Sequence, residues 1–356
     1  MKIGILTFHY AHNYGAMLQA YALKSYLKEC GHEVGIINYV PDYMRIKYFQ
    51  MSKIKMLALL KRSVVKAYFK QKGNIEKFDT FEERYLGVSI HDIVGKSELK
   101  KESDEFDYII FGSDQVWNTH ITFGDMSYFC DFTNQNKAIA YAASCGDSLG
   151  SKEFENAVTR YVSHYKAISV RENNACKMLL ENYNLDVKQV LDPIFLIDPA
   201  EWDRLSEKTT CKIKGDYIFY YAIEDNHELI NECENYASQN GLRVVTAHGE
   251  MKTSMDPDCL LKGIGPVEFV YLIKNARIVF TNSFHAVAFS ILFKKNAYIR
   301  THSQTGNRVV DLLNTCGIDW SGEGLFNLEG NDYTAKLGRS VKESQNYLKG
   351  ALGDLS

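Results

Sequence analysis

The chain has 356 residues, of which 46% are hydrophobic and 24% charged, and its formal net charge at pH 7 is -3. This length fits two domains, and the composition is that of a folded protein rather than a disordered one. The small net charge gives no reason to expect a nucleic-acid partner. The apolar run after Met1 is too short for a signal peptide or a spanning helix, so a cytoplasmic location is expected.

The eight cysteines form no Cys-x-x-Cys pair and have no histidine at metal-ligand spacing. In a cytoplasmic chain this pattern indicates reduced thiols that pack as small apolar side chains. We therefore expect no disulfide and no zinc. No other metal-ligand cluster is visible, and no cofactor is expected.

The first half of the sequence alternates apolar runs with segments of helical periodicity. Lys2–Phe8 is predicted to be a buried strand, Ala16–Cys30 a helix that ends before Gly31, and Glu33–Val40 a second strand. A strand, a helix and a strand in succession indicate a right-handed crossover and a parallel sheet. Similar units continue with predicted strands over Phe106–Phe111, Lys137–Ala143, Ala167–Val170 and Lys188–Leu191, and helices over Lys152–Tyr165 and Asn173–Glu181.

A second series begins near residue 200, after the proline-containing segment Asp192–Pro199, which is the predicted hinge. Its predicted strands are Tyr217–Ala222, Arg243–Thr246, Ile278–Thr281 and Ala297–Ile299, and its predicted helices are His227–Gln239, Val267–Asn275, Phe284–Phe293 and Arg308–Cys316. The pattern predicts two facing, Rossmann-like, doubly wound α/β domains, 1–198 and 199–335, with a C-terminal helix over 336–356 that packs back on the first. Such domains carry ligands at the carboxyl ends of their strands.

Residues 44–73 break this rhythm, because they contain nine basic side chains and no acidic one. Apolar residues are interleaved among the basic ones. This pattern fits an amphipathic helix on an anionic membrane surface, and it equally fits an ordinary surface helix with a solvated face.

Two loops in the first half carry groups that suit a sugar acceptor. In the loop His9–Gly15, His9, His12 and Asn13 are placed to touch a ligand, and Gly15 allows close backbone approach where a helix begins, although no dinucleotide or P-loop motif is present. Each histidine there also has a structural interpretation. In the loop Phe111–Asn118, Asp114 and Gln115 offer polar groups beside the ring of Trp117. The alternative is a turn in which Ser113 or Asp114 caps the next segment.

Two further loops carry groups that suit an anion. Arg171 stands at a helix start, where it can bind phosphate or carboxylate or instead pair with Glu172 or a more distant carboxylate. In Thr281–Ala286, Asn282 or Ser283 would cap a helix and leave His285 in its first turn. That position disfavours the imidazolium, and a bound polyanion would raise the histidine pKa. Arg308 begins another helix, whereas three more cations are expected to be solvated: Lys294, Lys295 and Arg300.

Four segments together resemble the polysaccharide pyruvyl transferase family: NYGAMLQAYAL (Asn13–Leu23), FGSDQVWN (Phe111–Asn118), SVRE (Ser169–Glu172) and SFHA (Ser283–Ala286). The resemblance extends from Met1 to about Leu313. It implies a glycosyltransferase-B-like fold and transfer of pyruvate from phosphoenolpyruvate to two hydroxyls of one sugar, as a cyclic ketal, in cell-surface or exopolysaccharide biosynthesis.

By the family pattern, Arg171 and His285 would lie at the donor site. Some members have a basic residue two positions before the histidine, where this chain has Ser283. Either Arg308 supplies the missing positive charge, or the donor is held more weakly, or the donor is different. We assign His285 as the acid and Arg171, Arg308, Ser283 and Ser169 to the donor. The acceptor, which can be lipid-linked, is assigned to His12, Asn13, Gly15, Asp114, Gln115 and Trp117. A nucleotide-sugar glycosyltransferase and a non-catalytic glycan- or anion-binding protein are the alternatives.

Overall fold

The computed structural model describes residues 1–47, 73–88, 92–224, 226–247, 263–301, 306–318, 320, 323–328 and 333–354. The chain forms two compact units. Unit 1 comprises Met1–Ile197 and Val341–Ser356, and unit 2 comprises Asp198–Ser340. The division falls one residue before the boundary that the sequence predicts.

Unit 1 is built on a parallel sheet of six strands in the described part of the chain, in the order β2-β1-β3-β4-β5-β6. The strands are β1 Lys2–Leu6, β2 Glu33–Ile36, β3 Tyr108–Phe111, β4 Ala138–Ala143, β5 Ala167–Val170 and β6 Val187–Gln189. Every residue of β4 is buried, as expected for a parallel strand with both faces covered. The parallel pairing brings the loops after β1, β3, β4 and β5 to one edge of the sheet.

The helices of unit 1 follow the apolar periodicity of the sequence. They are α1 Tyr14–Glu29, α2 Asp42–Lys47, α3 over 73–81, α4 Lys96–Ser103, α5 Lys152–Arg160 and α6 Asn173–Tyr183. A π-helical turn, Glu82–Leu86, extends α3. The first turn of α1 and almost all of its apolar residues are buried, so this helix is a central part of the core.

Unit 2 contains a second sheet, in the order β11-β10-β9-β7-β8. Its strands are β7 Tyr217–Tyr221, β8 Arg243–Thr246, β9 Ile278–Thr281, β10 Ala297–Ile299 and β11 Gly324–Phe326. Among the described strands, all pairs are parallel except β10 with β11. The helices are α7 Pro199–Ser206, α8 His227–Asn240, α9 Pro266–Asn275, α10 Phe284–Leu292, α11 Asn307–Cys316 and α12 Thr334–Leu352.

The end of α12 belongs to unit 1. The Ser344 hydroxyl oxygen accepts a hydrogen bond from the amide of Leu191 at 3.0 Å, and Gln345 donates to the carbonyl of Leu196 at 2.9 Å. Beyond the helix, Asp354 lies 2.8 Å from His32. The C-terminal residues therefore form hydrogen bonds with the backbone of the segment that follows β6, and Asp354 also pairs with His32.

One cysteine contradicts the expectation of reduced thiols. Cys211 is disulfide-bonded, whereas Cys30, Cys130, Cys145, Cys176, Cys233 and Cys316 are free. Spacing rules detect close pairs such as Cys-x-x-Cys, but they do not detect a pair that only the fold brings together.

Within the described ranges, no helix combines the length and the apolar character needed to cross a bilayer. Most of the basic segment 44–73 lies outside the described residues, which include 1–47 and 73–88. The membrane-facing helix therefore stays a prediction.

Candidate functional site

The loop between β1 and α1 is fixed at both ends. Asn13 caps α1, because its side-chain oxygen accepts a hydrogen bond from the amide of Ala16 at 3.1 Å. The ring of His9 is fully buried, with Nδ1 3.1 Å from the carbonyl oxygen of Thr7 and Nε2 3.0 Å from the side-chain oxygen of Asn38. His9 is therefore a structural residue of this loop.

His12 is held differently, by side chains of α3. Its ring stacks on Phe78 with 5.2 Å between centroids, and its Nε2 lies 3.4 Å from a carboxylate oxygen of Asp79. The His12 side chain is 12% exposed, so it still reaches the surface. Gly15 is buried in the first turn of α1, where it allows close packing. Of the two loop histidines, only His12 has any exposed surface with which to meet a ligand.

The loop after β3 turns through Asp114, which has a left-handed backbone with φ of 71°. Its carboxylate accepts a hydrogen bond from the amide of Gln115 at 2.8 Å. Ser113, one residue earlier, donates to the carbonyl of Ala142 at 3.1 Å and to Asp192 at 3.3 Å. The loop is thus tied to β4 through Ser113, while Gln115 is only half-buried.

Trp117 does not offer a ring face to a sugar. The indole is 0% exposed and packs parallel to Phe129 at 5.9 Å, with Phe154 and Tyr165 also in contact. The predicted stacking role is therefore wrong. An aromatic residue next to polar ones can be the apolar anchor that holds the loop, and this one is.

Asn118 organises a pair that the sequence analysis missed. Its amide nitrogen donates to Gln115 at 3.0 Å and to Asp147 at 2.8 Å. The other oxygen of Asp147 lies 3.3 Å from Nδ1 of His120, whose side chain is 59% exposed. A histidine with one ring nitrogen beside a carboxylate and an exposed ring is a possible proton acceptor for a hydroxyl. The sequence offers one signal for this pair: His120 and Asp147 follow two predicted strands that are neighbours in the sheet.

The Asp147 carboxylate responds to these partners. Partial burial alone would raise the pKa of Asp147, but the hydrogen bonds from Asn118 and His120 lower it below its ordinary value. The charged form is therefore favoured, and it lies against Nδ1 of His120.

Arg171 lies in a buried network of carboxylates at the same edge of the sheet. Its Nη1 donates to Asp192 at 2.8 Å, and its Nε is 3.6 Å from Glu172. Glu172 in turn accepts a hydrogen bond from Ser144 at 2.6 Å. The Arg171 side chain is 3% exposed and that of Asp192 is 0% exposed. Of the two roles that the sequence allowed for this arginine, the ion pair is present.

Several nearby carboxylates act on the charge of Arg171. Burial disfavours the guanidinium, but the carboxylates of Glu172, Asp192 and Asp114 outweigh burial and raise the pKa of Arg171. Glu172 and Asp192 pair with this cation directly, and Asp114 acts on it electrostatically. An anionic ligand that approached Arg171 would have to compete with these carboxylates.

Ser169 lies in the core of the sheet rather than at its edge. Its hydroxyl donates to the carbonyl of Ala140 at 3.0 Å and accepts from the amide of Ala142 at 3.3 Å. The residue is fully buried. The predicted contact of Ser169 with the donor is therefore wrong, because its hydroxyl is buried and hydrogen-bonds to the backbone of β4.

In unit 2, the predicted cap of α10 is confirmed. Ser283 has an extended backbone, and its hydroxyl accepts from the amide of Ala286 at 3.5 Å. Asn282 has another task, because it accepts from the amide of Ile223 at 2.8 Å and donates to the carbonyl of Glu224 at 3.0 Å. The loops after β7 and β9 are therefore joined by one amide side chain.

His285 is in the first turn of α10, as predicted, and it is half-buried. Its ring meets that of Phe284 edge-to-face at 5.2 Å. Arg308 is the second residue of α11 and is 9% exposed. Arg300 pairs with Glu228 and Glu323, so its charge is already compensated. Each unit thus gathers its predicted residues at the carboxyl edge of its own sheet, apart from Trp117 and Ser169.

A model of the polysaccharide pyruvyl transferase family matches residues 13–304, which is most of the chain. The chain belongs to this family. The match includes all four segments on which the sequence resemblance rests. No curated protein shows significant sequence similarity to the chain.

Solved structures show the fold. UDP-GlcNAc 2-epimerase from Methanocaldococcus jannaschii is 13% identical, with a TM-score of 0.50, and the alignment covers 96% of this chain and 99% of that one. S. aureus MnaA bound to UDP is 12% identical, with a TM-score of 0.49, and the alignment covers 99% of this chain and 97% of that one. The glycosyltransferase SnogD from Streptomyces nogalater is 10% identical, with a TM-score of 0.38, and the alignment covers 99% of this chain and 98% of that one. The predicted glycosyltransferase-B-like α/β fold is confirmed, and at these identities the likeness carries no function.

Proposed function

We propose that this family member transfers a pyruvyl group from phosphoenolpyruvate to two hydroxyls of one sugar, forming a cyclic ketal in cell-surface polysaccharide biosynthesis. The observation that carries the proposal is the family match over residues 13–304, which includes the SFHA segment that begins α10. The half-buried His285 in that first turn is an ionisable side chain suited to proton transfer.

The proposed chemistry needs one acid. His285 donates a proton to the methylene carbon of phosphoenolpyruvate, which leaves an oxocarbenium-like centre at the neighbouring carbon. A sugar hydroxyl oxygen bonds to that centre and loses its proton. The bond to phosphate then breaks, the second hydroxyl oxygen bonds to the same carbon, and the ring closes. One hydroxyl proton restores the acid and the other leaves with phosphate, so protons and electrons balance.

The donor carries phosphate and carboxylate charges, which require cations. We assign Arg308 and Ser283 to the donor beside His285, because all three lie at helix starts in unit 2. Arg171 keeps a proposed role as a second anion receptor, held in position by Asp192. This role requires the donor to compete with the carboxylates around the guanidinium, so it needs a separate test.

The acceptor is assigned to unit 1. His12 and Asn13 lie in the loop after β1, Gly15 in the first turn of α1, and Asp114 and Gln115 in the loop after β3. We add His120, whose ring is oriented by Asp147 and could accept a proton from a sugar hydroxyl. A lipid-linked acceptor would bring the chain to an anionic membrane surface through its basic segment 44–73.

The experiment tests two kinds of donor, phosphoenolpyruvate and nucleotide sugars. Each is incubated with a panel of acceptors that contains hexosides and N-acetylhexosaminides, free and lipid-linked. Phosphate release from phosphoenolpyruvate that depends on an acceptor supports the proposal. Release of a nucleoside diphosphate from nucleotide sugars, with no phosphoenolpyruvate turnover, would show a glycosyltransferase. If neither donor turns over and His285→Gln leaves cellular glycans unchanged, a non-catalytic binding role replaces both.

A further inference from the structure

Unit 2 has a polar pocket at the edge of its sheet opposite to Ser283 and His285. Its lining consists of Asn275 at the end of α9 and of residues that precede strands: Asp216 before β7, Ala276 and Arg277 before β9, and Lys294, Lys295 and Asn296 before β10. Because these strands are parallel, the pocket lies at their amino ends. Its volume is about 240 Å³, large enough for a small anion with its water.

The lining contains three cations and one carboxylate. In the described part of the chain, no carboxylate lies within 4.0 Å of Arg277, Lys294 or Lys295, whereas the neighbouring Lys274 is paired with Asp203 at 2.7 Å. Asp216 is close enough to act on Lys295 electrostatically, but it can balance only one of the three charges. The pocket therefore keeps an excess of positive charge.

Ordinary helix chemistry explains only part of this arrangement. Cations are favourable near the C-terminal ends of α9 and α10, where the helix dipole is negative. However, burial and the charge of Arg277 lower the pKa of Lys295, so the cations also act against one another. A bound anion would relieve that repulsion. In addition, Asn296 accepts a hydrogen bond from the amide of Leu328 at 3.0 Å, which fixes its amide group in the wall.

We propose that this pocket binds a phosphate-bearing anion, as a second site remote from the one that holds the donor. Arg277 supplies a planar pair of donors, and Lys294 and Lys295 supply point charges. Inorganic phosphate and the phosphate of a lipid headgroup share the chemistry that these residues recognise. The pocket does not depend on the pyruvyl transfer reaction.

The test follows the acylation rate of individual lysines in the full chain by mass spectrometry, because that readout separates this pocket from a phosphate-binding donor site. The probes are inorganic phosphate and phosphatidylcholine vesicles that contain phosphatidylglycerol, each against sodium chloride of equal ionic strength. At about ten times its Kd, phosphate should slow the acylation of Lys294 and Lys295 about tenfold. Lys274, which is a cation of the same edge but is already paired, is the matched control.

Arg277→Gln should remove most of the protection at both lysines, and Lys274→Gln should not. Protection by phosphate identifies a soluble anion, and protection by the vesicles alone identifies a lipid headgroup; either result supports the pocket. If Lys274 is protected from acylation as strongly as Lys294 and Lys295, the effect is diffuse screening and the proposal is overturned. The same holds if the protection of Lys294 and Lys295 is unchanged in Arg277→Gln. Absence of protection by both probes would also overturn it.

Discussion

The two predicted anion-binding regions differ in what surrounds their charged groups. Arg171 in unit 1 is 3% exposed and lies among carboxylates, one of them at 2.8 Å. His285 in unit 2 is half-buried, in the first turn of a helix capped by the neutral hydroxyl of Ser283. The sequence placed both residues at helix starts after parallel strands. A position at a helix start therefore does not reveal whether a charged side chain is available to a ligand or is already ion-paired within the fold.

The largest expected effect comes from breaking the unit 1 network. Arg171→Met leaves Asp192 and Glu172 buried without their cation, so the free energy of unfolding should fall by about 3–5 kcal/mol. Urea denaturation measures it. The double variant Arg171→Met/Asp192→Asn removes a charge from both sides and should recover part of the loss.

The double variant also tests the donor role of Arg171. If it is stable and its affinity for phosphoenolpyruvate is lower, Arg171 contacts the donor as well as the carboxylates. An affinity equal to that of the unaltered chain would make Arg171 purely structural. A loss of stability below about 1 kcal/mol in Arg171→Met would show that the network is not what holds this edge of the sheet.

The second prediction concerns His285, whose replacement should affect chemistry rather than folding. His285→Gln should lower the transfer rate by about 10²–10⁴-fold, because the proton donor is lost. Donor affinity should stay within about tenfold, or about 1.4 kcal/mol, in a titration with phosphoenolpyruvate. Rate and affinity that fall together would identify a binding residue instead of the acid.

A smaller effect is expected at the cap of α10. Ser283→Ala removes the side-chain acceptor for the amide of Ala286 and should cost about 1 kcal/mol of stability in urea denaturation. Ser283→Thr keeps a hydroxyl and is the control. If both variants unfold at the same urea concentration as the unaltered chain, the cap contributes nothing measurable.

The smallest effect is expected at the exposed pair of unit 1. His120→Gln removes one of the groups that lower the pKa of Asp147, so that pKa should rise toward its ordinary value. A lowered carboxylate pKa stabilises the fold above the ordinary value, and this contribution is lost as the pH falls through the lowered value. The variant should therefore lose less stability on acidification. An Asp147 pKa that does not move, measured by carboxylate NMR, would contradict this account.

Local sequence signals were enough to predict most strands and helices. Ala167–Val170, Arg243–Thr246, Ile278–Thr281 and Ala297–Ile299 have the predicted bounds, because short apolar runs in a parallel sheet stand out against polar loops. The helices α2, α3, α4 and α7 and the antiparallel β11 were not predicted. They are short or polar, and their position depends on packing rather than on a clear apolar period.

The candidate site was less predictable, because its contacts join distant residues. The cap at Ser283 follows from the residue type, and sequence reasoning found it. The pairing of Arg171 with Asp192 and of His120 with Asp147 depends on neighbouring parallel strands that bring their following loops together. The prediction that the Trp117 ring faces a sugar failed for a different reason. The local sequence FGSDQVWN does not distinguish an exposed ring from a buried one.

The most direct test of the central claim is a crystal structure of the chain with phosphoenolpyruvate. We expect the donor methylene carbon to lie beside the imidazole of His285 and the phosphate to lie within hydrogen-bonding distance of the Arg308 guanidinium. An ordered donor bound elsewhere, with no contact to His285, would contradict it.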